Sequence, residues 1–225
     1  MMQSRLTRSF GRRKARKLRE TSQRAYDDIL PLLRIDLTHQ IFKNTPSDIW
    51  LEIGFGGGEH LFEQLAHNPS IAMVGCEPFM NGVAKLLSHL SPDDYDRVRI
   101  WHEDVRHLLD HIPSAFFSRV FILFPDPWPK KRHHVRRLIT LEFMDKLLPT
   151  MKEGALLHVA SDDSSYVEQI QAILYPHPRL KLCKGPPSAD PSTWNERPEE
   201  WPMTRYEQKA MTLGKRCAYM VFQKI

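Results

Sequence analysis

An α/β fold on a mostly parallel seven-stranded sheet, with helices on both faces, is predicted by three observations. Seven short runs rich in β-branched and aromatic residues are spread along the 225 residues. The first five alternate with longer amphipathic stretches, and glycines or acids stand where the early runs end. Strand and helix taking turns in this way make βαβ units, whose crossovers demand parallel pairing and cover both faces of the sheet.

The runs are IWLEI (49–53), IAMVGC (71–76), VRIWH (98–102), RVFILF (119–124), ALLHVA (155–160), LKLC (180–183) and CAYMVFQ (217–223). Between the first five lie helix-like segments such as GEHLFEQLAH, NGVAKLLSHL and RRLITLEFMDKLLPTM. The last two runs are joined by KGPPSADPSTWNERPEEWPMT, polar, rich in proline and without a helical period. It reads as a surface excursion on the same scaffold. Length and a hydrophobic content of 41% suit one full core. The expected division is a basic N-terminal arm over 1–34 and one folded domain over 35–225.

The formal charge is +5, but its distribution is more informative. Residues 1–24 hold nine Lys/Arg against one acid, Glu20, and KKRHHVRR (130–137) adds five with none, so the remaining body is acidic. Two basic clusters on an acidic body point to a polyanion partner. The same runs also suit solvated faces, and the arm resembles an organellar transit peptide. No apolar run approaches the roughly 20 residues of a membrane span, and the N-terminus lacks the apolar h-region expected of a secretory signal. Cys76, Cys183 and Cys217 are odd in number and far apart, which suggests neither a disulfide framework nor a thiolate zinc site and fits a reducing cytoplasm. His107 and His111 stand four apart with His102 upstream, but no HExxH or Cys partner accompanies them. No metal is expected.

In open α/β sheets ligands bind beyond the carboxyl ends of the strands. The first run leads into Glu52-Ile-Gly54-Phe-Gly56-Gly-Gly-Glu59, a turn whose glycines let the backbone approach a ligand. A dinucleotide fingerprint needs glycine at position 59, and Glu52 repels a pyrophosphate. An acid beside the turn suits a nucleoside with a cationic tail, such as S-adenosylmethionine, over a dinucleotide. The second run ends at Glu77, placed to accept from two ribose hydroxyls, and the third at Asp104, placed to accept from an adenine amino group. The fourth runs into Phe124-Pro-Asp126-Pro-Trp128-Pro-Lys130, where prolines hold Asp126 on a stiff loop. Amino-directed nucleobase methyltransferases carry Asp/Asn-Pro-Pro-aromatic here, and this loop lacks their second proline.

These residues together resemble the bacterial tRNA (guanine-N7)-methyltransferase family over nearly the whole chain. RSFGRR (8–13), LEIGFGGG (51–58), FPDPWPKKRHHVRRL (124–138), ASD (160–162), and RP, TRYE and LG within 197–214 carry the resemblance. It implies a Rossmann-like class I methyltransferase fold that transfers methyl from S-adenosylmethionine to N7 of a variable-loop guanosine in tRNA. It assigns Glu52, Gly54, Gly56, Glu77, Asp104 and Asp126 to the cofactor, with Asp126 also catalytic. Lys130, Asp162, Thr204, Arg205, Tyr206 and Glu207 fall on the substrate side, and Arg132, His133, His134, Val135, Arg136 and Arg137 on the RNA. The sequence departs from the family pattern at Ala210, where glycine is common, and at Lys215, where histidine is common. An amino-directed nucleobase methyltransferase and an RNA-binding protein on the same scaffold are the rival readings, and monomer and homodimer are both open.

Overall fold

The computed structural model describes residues 13, 17–44, 46–198 and 201–225. Most of the RSFGRR motif lies outside the described residues. All seven expected strands form, as β1 (Ile49–Ile53), β2 (Ala72–Cys76), β3 (Val98–Trp101), β4 (Phe117–Leu123), β5 (Met151–Ser161), β6 (Leu180–Lys184) and β7 (Ala218–Lys224). They make one sheet in the order β3-β2-β1-β4-β5-β7-β6, parallel except for β7, which runs antiparallel to both neighbours. Strand order reverses between β1 and β4, so the glycine turn and the Asp126 loop leave the sheet side by side.

Every residue of β1 is buried, as expected of a strand covered on both faces. Ile49, Leu51 and Ile53 join a core with α4 (Val105–Leu109), α5 (Leu141–Thr150) and α6 (Ser164–Leu174). Trp50 points the other way, into a core with α1 (Glu20–Leu33), α2 (Glu59–His67), α3 (Met80–Leu87) and α7 (Arg205–Thr212). On this side β1 also carries a buried acid, Glu52, two residues after Trp50 and hydrogen-bonded to His60 of α2.

Three elements differ from the sequence reading. The segment RRLITLEFMDKLLPTM becomes helical only at Leu141, because Thr140 Oγ1 accepts from Phe143 N at 3.1 Å and caps α5 there. Helix α1, inside the stretch assigned to the arm, packs on α3, and Ile35 N donates to Ile100 O at 2.9 Å so that the chain runs along the β3 edge. The excursion before β7 is tied down by its two tryptophans: Trp194 is buried in the first core and Trp201 in the second, on opposite faces of the sheet.

Candidate active site

A cavity of about 470 Å³ opens at the strand-order reversal. Its walls are Gly54 and Gly56 after β1, Glu77, Pro78 and Phe79 after β2, Asp104 and Arg106 after β3, and Phe124, Asp126 and Trp128 after β4, with Arg136 and Tyr206 at the rim. The volume lies in the range that encloses a cofactor-sized ligand. Helix α3 presses against the turn so closely that a Cβ on Gly82 would stand 2.1 Å from Gly56 O.

Both Glu77 oxygens are oriented by backbone donors, Oε2 by Gly56 N at 2.7 Å and Oε1 by Phe79 N at 2.8 Å. Burial nevertheless raises its pKa to about 7, and the negative charges of Asp126 and Glu52 add to the rise. Partial desolvation likewise raises Asp126. Asp104 behaves oppositely. Burial pushes its pKa up, but Arg106 grips both oxygens, Nε to Oδ1 at 2.9 Å and NH2 to Oδ2 at 2.8 Å, and the net shift is downward. Arg106 is thus paired with one of the acids, and the charges that act on Glu77 are those of Asp126 and Glu52.

Phe124 and Trp128, on either side of Pro125-Asp126-Pro127, have φ of 52° and 48°, a left-handed backbone that costs a bulky residue about 1–3 kcal/mol. Phe124 N donating to Ala160 O at 2.8 Å and Arg137 Nε donating to Pro127 O at 2.7 Å hold the loop in this form. The block behind it forms a 3-10 turn, Lys131–Arg136, with Lys130, Lys131, Arg132 and Val135 exposed, His133 and His134 half-buried, and Arg136 over the Trp128 ring at 5.0 Å. Arg137 departs from the solvent-facing placement expected of an RNA contact. It is 2% exposed, donates to Ser165 O, Ser165 Oγ and Gln169 Oε1, and lies over Tyr166. The turn's geometry swings this one guanidinium inward, where it clamps the loop to α6.

Of the remaining expected site residues, Tyr206 alone reaches the main cavity, over Gly56. Glu52, Thr204 and Arg205 border a small annex next to it that shares Gly54 and Tyr206 with its lining. Thr204 caps α7 by accepting from Glu207 N at 3.1 Å. Glu207 turns away from the cavity and is buried between Tyr219 Oη at 2.6 Å and Arg197 Nε at 3.0 Å. Asp162 is paired with Lys215 at 2.9 Å, and Lys130 lies outside both spaces. Among the described residues no group of three or more His, Cys, Asp or Glu side chains could hold a metal ion, and no helix is long and apolar enough to cross a membrane.

A family model described as "Putative methyltransferase" matches residues 46–220. The tRNA (guanine-N(7)-)-methyltransferase of Rhodospirillum rubrum is 40% identical over 96% of this chain and 88% of its own length. That of Paramagnetospirillum magneticum is 40% identical over 96% of this chain and 92% of its own. The chain belongs to the tRNA (guanine-N7)-methyltransferase family. Among solved structures, the 16S rRNA methyltransferase KamB aligns with a TM-score of 0.56 at 16% identity, covering 80% of this chain and 89% of that one. TrmN from Thermus thermophilus aligns at 0.54 and 13% identity, covering 89% and 48%. At such identities the likeness is one of fold, the Rossmann-like sheet of class I methyltransferases.

In this member of the tRNA (guanine-N7)-methyltransferase family the two departures in the tail meet through the backbone. Ala210 is buried in the second core, and Lys215 N donates to Ala210 O at 2.9 Å while its side chain takes Asp162. Sequence reasoning missed Phe79, Trp128 and His60. Phe79 and Trp128 follow acids already singled out, a signal that was present. His60 sits eight residues after Glu52, and only the turn between them brings the two together.

Proposed function

We propose that this chain transfers a methyl group from S-adenosylmethionine to N7 of a guanosine in tRNA, in the variable loop by family resemblance. One observation carries the reading: a cavity whose inner wall is acidic shares its outer wall, Asp126, Trp128 and Arg136, with the basic 130–136 turn. A small-molecule site and a phosphate-binding surface on one stiff loop suit a cationic nucleoside cofactor inside and a nucleic acid outside.

The residues fit S-adenosylmethionine. Glu77, held by two backbone N–H groups, would accept from the ribose hydroxyls through its remaining lone pairs. Asp104, its charge balanced by Arg106, would border the adenine end. When bound, the cofactor supplies an electrophilic methyl on a sulfonium. Guanine N7 already presents a lone pair, so no side chain has to remove a proton before attack. The protein's task is alignment, together with negative charge near an imidazole ring that becomes cationic. Asp126 has that task, accepting from guanine's donors at the cavity mouth, with Tyr206 on the same cavity and Thr204 and Arg205 on the annex beside it. Lys130, Lys131, Arg132 and Arg136 position the RNA backbone while the cavity selects the base. Three unbridged cysteines suit a reducing, cytoplasmic setting.

The test is transfer of labelled methyl from S-adenosylmethionine to tRNA, followed by borohydride and aniline. Strand cleavage at one labelled guanosine is expected. Label on an exocyclic amine, or no transfer to any tRNA, would overturn the reading.

A further inference from the structure

Behind the glycine turn, α2 and the residue after it carry three polar side chains at successive turns of one face, His60, Gln64 and Asn68. His60 and Gln64 are buried. Their hydrogen bonds run in one direction. Asn68 Nδ2 donates to Gln64 Oε1 at 3.2 Å, Gln64 Nε2 faces His60 Nε2 at 3.2 Å, and His60 Nδ1 lies 2.8 Å from Glu52 Oε2. An amide nitrogen can only donate, so Gln64 requires the imidazole lone pair on Nε2 and leaves the proton on Nδ1, where Glu52 accepts it. Phe121 meets the ring nearly edge-on at 4.6 Å and fixes its plane. The chain of donors has one outlet, the Glu52 carboxylate. That carboxylate borders the annex of about 20 Å³, room for one group the size of a water molecule or an ammonium.

We propose that His60 is a positioning residue, holding Glu52 in one rotamer so that the annex accepts the ammonium at the amino-acid end of the cofactor. The proposal rests on the S-adenosylmethionine reading above. A carboxylate anchored through one oxygen by a buried imidazole loses its rotational freedom and keeps its charge directed at the annex. If His60 and Glu52 only packed α2 onto the sheet, their loss would weaken every ligand of the cavity alike.

Calorimetry on the full chain separates the two cases with three ligands: S-adenosylmethionine, S-adenosylhomocysteine and 5′-methylthioadenosine, which keeps the nucleoside but lacks the amino-acid end. His60→Leu is expected to weaken the first two about tenfold or more, the loss of one charge-assisted hydrogen bond, and to leave methylthioadenosine unchanged. His60→Asn, whose amide nitrogen stands near the former Nδ1, is expected to restore most of the affinity. Nitrogen-15 NMR of the wild-type imidazole is expected to report the Nδ1–H tautomer, a readout independent of any variant's folding. Equal weakening of all three ligands, unchanged affinity for the first two, or an Nε2–H tautomer would overturn the proposal. Wild-type protein that binds none of the three would instead remove the cofactor reading on which it rests.

Discussion

Glu77 combines two opposed demands on a single carboxylate. Its backbone donors favour the anion, yet burial and the neighbouring acids hold its pKa near 7, above the ordinary carboxylate range. A folded-state pKa raised above the unfolded value contributes stability at low pH that is lost as pH rises through the folded pKa. The unliganded protein is therefore expected to lose thermal stability between about pH 4.5 and 7, on the order of 1–3 kcal/mol from this group. A cationic ligand that donates to the carboxylate favours the anion, so S-adenosylmethionine affinity should rise with pH up to about 7 and then level off, with protons released on binding. Melting temperature against pH, with and without cofactor, checks both signs, and Glu77→Ala should remove the dependence. A profile that is the same in the variant would assign the effect to another group.

Among the elements, the loop after β4 and the turn behind it divide the basic block into two kinds of cation. Arg137 pays for a strained backbone at Phe124 and Trp128 by fastening Pro127 to α6, whereas Lys130, Lys131 and Arg132 are exposed. Arg137→Met leaves several buried acceptors unpaired and is expected to cost about 2–4 kcal/mol of stability and most of the activity. The slope of log tRNA affinity against log salt should not change, provided the variant is assayed below its melting temperature. Replacing Lys130, Lys131 and Arg132 by Ala should do the reverse. Stability should stay within about 0.5 kcal/mol of wild type, while the slope falls by up to roughly 2–3, at about 0.7–0.9 per lost phosphate contact. Chemical denaturation and a salt titration of tRNA binding distinguish the two sets. An equal fall in slope for Arg137→Met would return that residue to the RNA surface.

For the molecule as a whole, the basic start of the chain and the folded body meet at a defined point: Met80 N, in the first turn of α3, donates to Arg13 O at 3.0 Å, next to the Phe79 wall of the cavity. Helix α1 then packs on α3, so the charge run of residues 1–24 extends into a packed helix of the folded body. Deleting residues 1–12, which carry Arg5, Arg8 and Arg12, is expected to flatten the salt dependence of tRNA binding by roughly 2 while the melting temperature holds. Filter binding at several salt concentrations tests this, and an unchanged slope would make those residues bystanders. The alternation of strand and helix, the glycines and acids at strand ends, the proline-caged Asp126 and the two basic clusters were all legible in the sequence, because each is a local pattern of period, backbone freedom or charge along the chain. Which way a side chain turns was not. Glu52 faces His60, Arg137 and Glu207 are buried, and Trp194 and Trp201 take opposite faces of the sheet, because those directions depend on which distant elements pack against each residue. The sequence by itself determined the family's fold and the acids that gather where strand order reverses. Only the tertiary structure decided which of them face the cavity and which are held by buried partners, since burial is a property of packed surfaces and not of neighbours in the chain.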